Sequence, residues 1–167
     1  FVPINYSVND KLRWLEGYCD ADGCVNLNSK KDATSIQVTS VEKDFLVDVQ
    51  LMLTTLGINT NLKLIQNERV VKLPKNDGTG EYKDYNCKKH YGLYISCINV
   101  SKLMNIGFNP KRLKVLYKEF NTKPRTEKMR VISIEKISEN SPTYCFTEPL
   151  KHAGVFNGIV TGQSETY

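Results

Sequence analysis

Two carboxylates two residues apart, Asp20 and Asp22, stand where an apolar helical pattern ends, and Gly23 follows them. Leu12, Leu15 and Cys19 recur at helical spacing and predict one buried face, which Trp14 and Tyr18 widen. The acids therefore close the C-terminal end of a helix, where the macrodipole disfavours negative charge. A cation would offset them there, and clustered carboxylate oxygens are the ligands that magnesium or calcium takes. Acid-acid-glycine after a helix is also a common solvated turn, so the pair alone does not decide. Gly17 and Ala21, four apart on another side, leave room for a second helix to come close.

Taken whole, Leu15-Glu16-Gly17-Tyr18-Cys19-Asp20-Ala21-Asp22-Gly23 resembles the signature of LAGLIDADG homing endonucleases. It matches at Leu15, at Gly17 and through Asp20-Ala21-Asp22-Gly23, and departs at Glu16, Tyr18 and Cys19. The Val2-Pro3 pair before the helix and an expected strand at Cys24–Asn28 fit the same pattern. The resemblance implies a site-specific, metal-dependent endonuclease that cuts double-stranded DNA. In that reading Asp22 binds Mg2+ and the Ala21 main-chain carbonyl completes the coordination. Asp20 caps or braces the helix, and Gly17 and Ala21 face the motif helix of a second repeat. Two such acids would hold metal ions at the scissile phosphates. A basic residue near the last helix supports the charge and water network; Lys111 is the candidate, with Arg112 and Lys114 competing.

The elements that must position these residues follow from periodicity. A helix is expected over Val8–Cys19, strands at Cys24–Asn28 and Ser35–Thr39, and a second helix over Glu42–Leu56 that stops at Gly57. Strands follow at Asn61–Gln66 and Tyr91–Ser96, and short helices at Val100–Asn105 and Lys111–Phe120. Residues 67–89 read as a long, lysine-rich hairpin or loop, with Lys72, Lys75, Lys83, Lys88 and Lys89 available to phosphates. The order αββαββα with an extra helix is an α+β domain. The strands alternate, so one sheet face is apolar and the other polar. Asn26, Asn28, Gln37, Thr39, Asn61 and Lys63 line the polar face. Amides suit adenine and lysine suits guanine in the major groove.

A second constellation lies in the tail, where short strands are expected at Arg130–Ile134, Tyr144–Thr147 and Phe156–Val160: Cys145, then His152, then Gln163-Ser164. Over about twenty residues this resembles the C-terminal splicing blocks of an intein. The chemistry matches the residue types. The Ser164 hydroxyl can accept an acyl group. The Gln163 amide nitrogen can then attack its own main-chain carbonyl and release the chain. His152 can relay protons because imidazole titrates near neutrality. Cys145 stands where the family has Asp or Cys and could polarise the acceptor. Two departures matter: Gly162 replaces the usual His, and Gln163 replaces the usual Asn, which makes cyclisation slower.

The resemblances together imply domains at 1–124 (an endonuclease repeat), 125–163 (the C-terminal strands of an intein splicing, or Hint, fold) and 164–167 (the start of the downstream host segment). They imply as partners double-stranded DNA, a missing N-terminal half of the intein and the flanking host protein, with splicing itself needing no cofactor. The chain opens on Phe1 rather than Met, which reads as a piece of a longer product or a processed one. A freestanding homodimeric endonuclease and a cleavage-dead, maturase-like binding module are the alternatives.

Bulk properties bound these readings. The net charge of +5 is uneven: residues 1–128 carry +6 and residues 129–167 carry −1, so the larger part suits a polyanion. The five cysteines form no CxxC pair, which argues against a zinc knuckle or disulfide scaffold and for reduced thiols inside a cell. No apolar run is long enough to span a membrane and no signal peptide is present.

Overall fold

The fold is a computed structural model that describes residues 1–120, 133–142, 147–156 and 159–162. The chain parts into two compact units, Phe1–Glu119 and Phe120–Tyr167.

In the first unit, Ser7 starts α1 (Val8–Asp22) by accepting the Asp10 N–H at 3.2 Å, satisfying one of the helix's orphan donors. The helix continues three residues beyond Cys19, the end expected from its apolar pattern, and so takes in both acids. Strands β1 (Cys24–Leu27) and β2 (Thr34–Ser40) then form an antiparallel hairpin, and α2 (Lys43–Thr55) follows. Its end is a Schellman motif: Gly57 has φ +72°, its N–H donates to Thr54, and the Ile58 N–H donates to Leu53. Next come β3 (Thr60–Gln66), β4 (Arg69–Pro74), β5 (Tyr82–Cys87), β6 (His90–Ile95) and α3 (Cys97–Asn105). Gly107, with φ +104°, ends α3 in the same way as Gly57 ends α2.

The main sheet runs β1-β2-β6-β3 with every neighbour antiparallel. Its αββαββα order is the expected one, with β4 and β5 inserted as a separate two-stranded hairpin. Ile36, Val38, Leu93 and Ile95 are fully buried on one face. There they join Leu12, Leu15 and Cys19 of α1, Leu46, Val49, Met52 and Leu53 of α2, and Val100 and Leu103 of α3 in one core. The helices thus cover one sheet face, an α+β arrangement with the other face open.

The helix expected over Lys111–Phe120 does not form; that segment has no regular structure. Its backbone donors go to side chains of other elements instead of to carbonyls four residues back. Lys111, Arg112 and Leu113 donate to Asp20, Leu116 to the Thr34 hydroxyl, and Lys118 to the Ser101 hydroxyl. Leu113 is drawn into the core, which holds the segment extended across the unit.

In the second unit, β7 (Ala153–Phe156) pairs with β8 (Ile159–Gly162), Ala153 opposite Gly162 and Phe156 opposite Ile159. The single strand expected over Phe156–Val160 is therefore the end of one strand and the start of another. The strands expected at Arg130–Ile134 and Tyr144–Thr147 fall largely outside the described residues; Ser133, Ile134 and Thr147 are not in strands. Among the described residues no helix is long and apolar enough to cross a membrane.

Candidate nucleic-acid interface and metal site

Arg13, Glu16 and Asp20 lie three and four residues apart on α1 and form one stripe along it. All three grip the chain that follows α3. The Arg13 guanidinium donates to the Gly107 carbonyl at 3.2 Å and to Glu16 at 2.7 Å. Glu16, only 8% exposed, accepts the Asn109 N–H at 2.8 Å. Asp20 accepts the N–H groups of Lys111 and Arg112 at 2.8 Å and of Leu113 at 3.1 Å. Burial pushes the Asp20 carboxyl up, but these three N–H groups and the Arg112 charge outweigh it and hold it below the usual carboxylate range.

Arg112 returns the grip. Its guanidinium donates to the main-chain carbonyls of Cys19 (3.2 Å), Gly23 (2.8 Å) and Asp20. The Asp20 and Gly23 carbonyls stand at and just past the helix end, while the Cys19 carbonyl also accepts the Gly23 cap N–H at 2.8 Å. A cation there also complements the negative end of the macrodipole. This is why α1 extends through the two acids.

Asp22 is placed differently. It is exposed and has no hydrogen bond or ion pair among the described residues. Ala21 beside it is exposed, as is Gly17, where an added Cβ would meet nothing within 4 Å. Tyr18, one turn before Asp22, packs between Trp14 and Phe45 with ring centroids 5.4 Å from each. Its hydroxyl is buried with no hydrogen-bond partner among the described residues. Burial, then the charges of Asp22 and Cys19, push its pKa up to about 12. Burial and the Asp20 charge push the Cys19 thiol up to about 12, against a smaller opposing effect of Arg112.

Of the basic candidates, Arg112 has its guanidinium committed to α1. Lys111 and Lys114 are exposed. The Lys111 main chain is anchored on Asp20, so its side chain leaves the loop at the same end of α1 as Asp22.

The open face of the sheet carries the expected polar set in register. Gln37 pairs with Tyr94, and Tyr94 with Asn61; Thr39 pairs with Gly92, and Gly92 with Lys63. Asn26, Thr39, Asn61 and Lys63 are exposed and Gln37 is half-buried. Asn28 is not a free reader: its amide donates to Asp32 at 2.7 Å and its carbonyl accepts the Asp32 and Ala33 N–H groups, closing the β1–β2 turn. Sequence reasoning missed Tyr94, at the centre of this face, because its position is visible only after β6 is placed between β2 and β3. The Lys63 Nζ lies 5.9 Å from its ring centroid, a cation–π contact.

As a metal site the end of α1 is partial. The Asp22 carboxylate and the Ala21 carbonyl are hard oxygens of the type Mg2+ takes. Among the described residues, no three His, Cys, Asp or Glu side chains converge on one point. The donors fit in kind, and the remainder must come from another surface, DNA phosphates included.

In the second unit, Glu148 accepts the N–H of Lys151 at 2.5 Å and of Leu150 at 3.0 Å. Those bonds hold its carboxyl below the usual range against a smaller burial effect. The turn presents His152 exposed, with φ +50°, a left-handed conformation uncommon outside glycine. Cys145, Gln163 and Ser164 lie outside the described residues.

A helix ending in two acids, packed under a four-stranded antiparallel sheet with an open polar face, can be compared with known families. A model described as LAGLIDADG-like domain matches residues 9–105, more than half of the chain. The chain belongs to the LAGLIDADG-like family. The matched span of this LAGLIDADG-like domain runs from α1 to the end of α3 and stops short of the Gly107–Leu113 segment that Glu16 and Asp20 hold. Among curated relatives, the ribonucleoside-diphosphate reductase large subunit of Invertebrate iridescent virus 6 is 40% identical over 163 residues, 97% of this chain and 16% of that protein. The ribonucleoside-diphosphate reductase NrdEB subunit alpha of Bacillus subtilis (strain 168) is 33% identical over 158 residues, 89% of this chain and 14% of that protein. A protein of the same description from Bacillus phage SPbeta matches equally. The LAGLIDADG-like chain thus spans about a sixth of the length of the curated relatives it matches.

Proposed function

We propose that the chain is one half of a DNA homing endonuclease joined to the C-terminal splicing segment of an intein. The observation that carries the endonuclease reading is the division of labour between the two motif acids. Asp20 is bonded into the fold by three N–H groups, while Asp22 is exposed and bonded to no other side chain or backbone group among the described residues. A carboxylate held at a negative helix end without a structural partner is suited to hold a cation. The open sheet face enters the major groove, with Asn26, Gln37, Thr39, Asn61 and Lys63 toward base edges and the lysines of the β4–β5 hairpin toward phosphates.

Asp22 and the Ala21 carbonyl are the residues that would hold Mg2+, which when bound supplies Lewis-acid stabilisation of the phosphate and an activated water. Lys111 sits where it can stabilise charge at the same helix end. The exposed Gly17–Ala21 side of α1 suits a second motif helix, which would bring the second acid needed to cut both strands. That helix would belong to a second repeat.

The relatives' names support a host: a ribonucleoside-diphosphate reductase large subunit into which the intein is inserted. The tail then performs excision. Ser164 accepts the upstream acyl group, and the Gln163 amide nitrogen displaces the Ser164 main-chain nitrogen from the Gln163 carbonyl. His152 relays the protons and Cys145 polarises the acceptor. The Hint strands of that tail include β7 and β8. The protein acts inside the cell, where its DNA target and host lie.

The deciding experiment uses the full-length protein containing this chain and duplex DNA spanning the uninterrupted host gene, with Mg2+. Site-specific double-strand cutting is expected. Asp22→Asn abolishes it while leaving the dissociation constant within about threefold and the melting temperature unchanged. Undiminished cutting by that variant removes the assignment.

A further inference from the structure

The open sheet face is not uniformly polar. The pairing register shifts between Leu64 and Gln66, so Ile65 is an extra residue in β3, and such bulges re-aim a side chain. Ile65 is turned onto Gly92 in the neighbouring β6. A Cβ built on Gly92 would lie 2.5 Å from Ile65 Cδ1, 3.1 Å from Ile65 Cγ1 and 3.1 Å from Tyr94 Cε2. A glycine inside a strand weakens it and marks a close approach. Here the approach is by a side chain, and the result is a seat. Ile65 lies on Gly92 beside the Tyr94 ring and is still 38% exposed.

The neighbours of this seat identify what it faces. Gln37 and Asn61 flank Tyr94 in one row, and Thr39 and Lys63 flank Gly92 in the next. Rows on one face are about 6.8 Å apart along a strand, roughly two base-pair rises. Amides in one row are matched to adenine, and the apolar group presented on the major-groove edge of an A·T pair is the thymine 5-methyl. A branched aliphatic tip one row from two carboxamides suits that methyl, while Lys63 supplies the charge complementary to the duplex.

We infer that Ile65, seated on Gly92 and braced by Tyr94, reads a thymine methyl on double-stranded DNA. The inference rests on the proposed use of this sheet face for DNA and assigns a specificity role within it.

The test selects a preferred duplex from a random pool with the full-length protein containing this chain. Deoxyuridine then replaces each thymidine in turn, removing only the methyl. One or two positions are expected to weaken binding by about fourfold, the worth of one buried methyl-sized group. Ile65→Ala is expected to bind thymine and uracil duplexes equally at those positions. Gly92→Ala should do the same by pushing Ile65 off its seat while keeping its atoms. Gln37→Ala should weaken binding yet preserve the thymine–uracil difference. Specific binding with no uracil effect, or an Ile65→Ala protein that still discriminates, overturns the inference and leaves the DNA-binding reading intact. So does a lower melting temperature in Ile65→Ala with an unchanged thymine–uracil ratio, which marks packing alone. Failure to enrich any duplex overturns both.

Discussion

Asp20 and Arg112 hold each other's main chain. The Asp20 carboxylate accepts the Arg112 N–H at 2.8 Å, and the Arg112 guanidinium donates to the Asp20 carbonyl. The pair joins the C-terminal turn of α1 to the segment after α3, 92 residues away in sequence. Arg112→Ala removes three donors from the helix end and is expected to cost about 1–2 kcal/mol, read by thermal or urea unfolding.

The same pair predicts a pH dependence. The fold holds the Asp20 carboxyl below its ordinary value, so the unfolded chain takes up the proton first as pH falls. Its contribution is complete above about pH 4, the ordinary aspartate range, and is lost as pH drops through the lower folded value. The melting temperature of the wild type should fall more steeply below pH 4 than that of Asp20→Asn. Parallel profiles would mean the cradle contributes nothing.

Gly23 is required by space, not by backbone angle. Its φ is −81°, open to any residue, but an added Cβ would lie 2.6 Å from the Cys19 carbonyl oxygen and 3.0 Å from Leu113 Cδ1. Because the nearest atom is backbone, Gly23→Ala must shift the end of α1 and should destabilise by about 1–3 kcal/mol. Gly57→Ala meets no neighbour but sits at φ +72°, and should cost only about 1 kcal/mol. Equal costs in denaturant unfolding would contradict this ordering.

The thiols should separate by reactivity. Cys19 is fully buried and pushed up to about 12, whereas Cys24 is exposed. Iodoacetamide at pH 8 should label Cys24 in the native protein and reach Cys19 only after denaturation, as read by peptide mass spectrometry.

In the full-length host protein, Gln163→Ala should stop release at Ser164 while upstream ester or thioester formation survives, so a branched or N-terminally cleaved product accumulates. Gln163→Asn should keep or speed release because a five-membered ring closes more readily. Fully joined flanks from Gln163→Ala at the parental rate, on gels and by mass spectrometry, would end the splice-junction reading.

The sequence alone determined the αββαββα order, the motif helix and the composition of the polar face. Each of these is local: periodicity of 3.6 or 2, a glycine stop and an alternating strand are written in neighbouring residues. The strand alternation identified Asn61 and Lys63, but not that Tyr94 lies between Gln37 and Asn61, because strand order is a long-range choice. Nor could it assign Asn28 to a turn, since an amide that closes a hairpin and one that reads a base look the same in one dimension. The tertiary structure decided the placement of the two acids. Lys111–Phe120 has a helix-compatible pattern, yet its N–H groups find Asp20, Thr34 and Ser101, and Leu113 finds the core. Local propensity is worth tenths of a kcal/mol per residue, less than a satisfied charged hydrogen bond or a buried leucine, so the distant partners win. That outcome ties Asp20 into the fold and leaves Asp22 exposed.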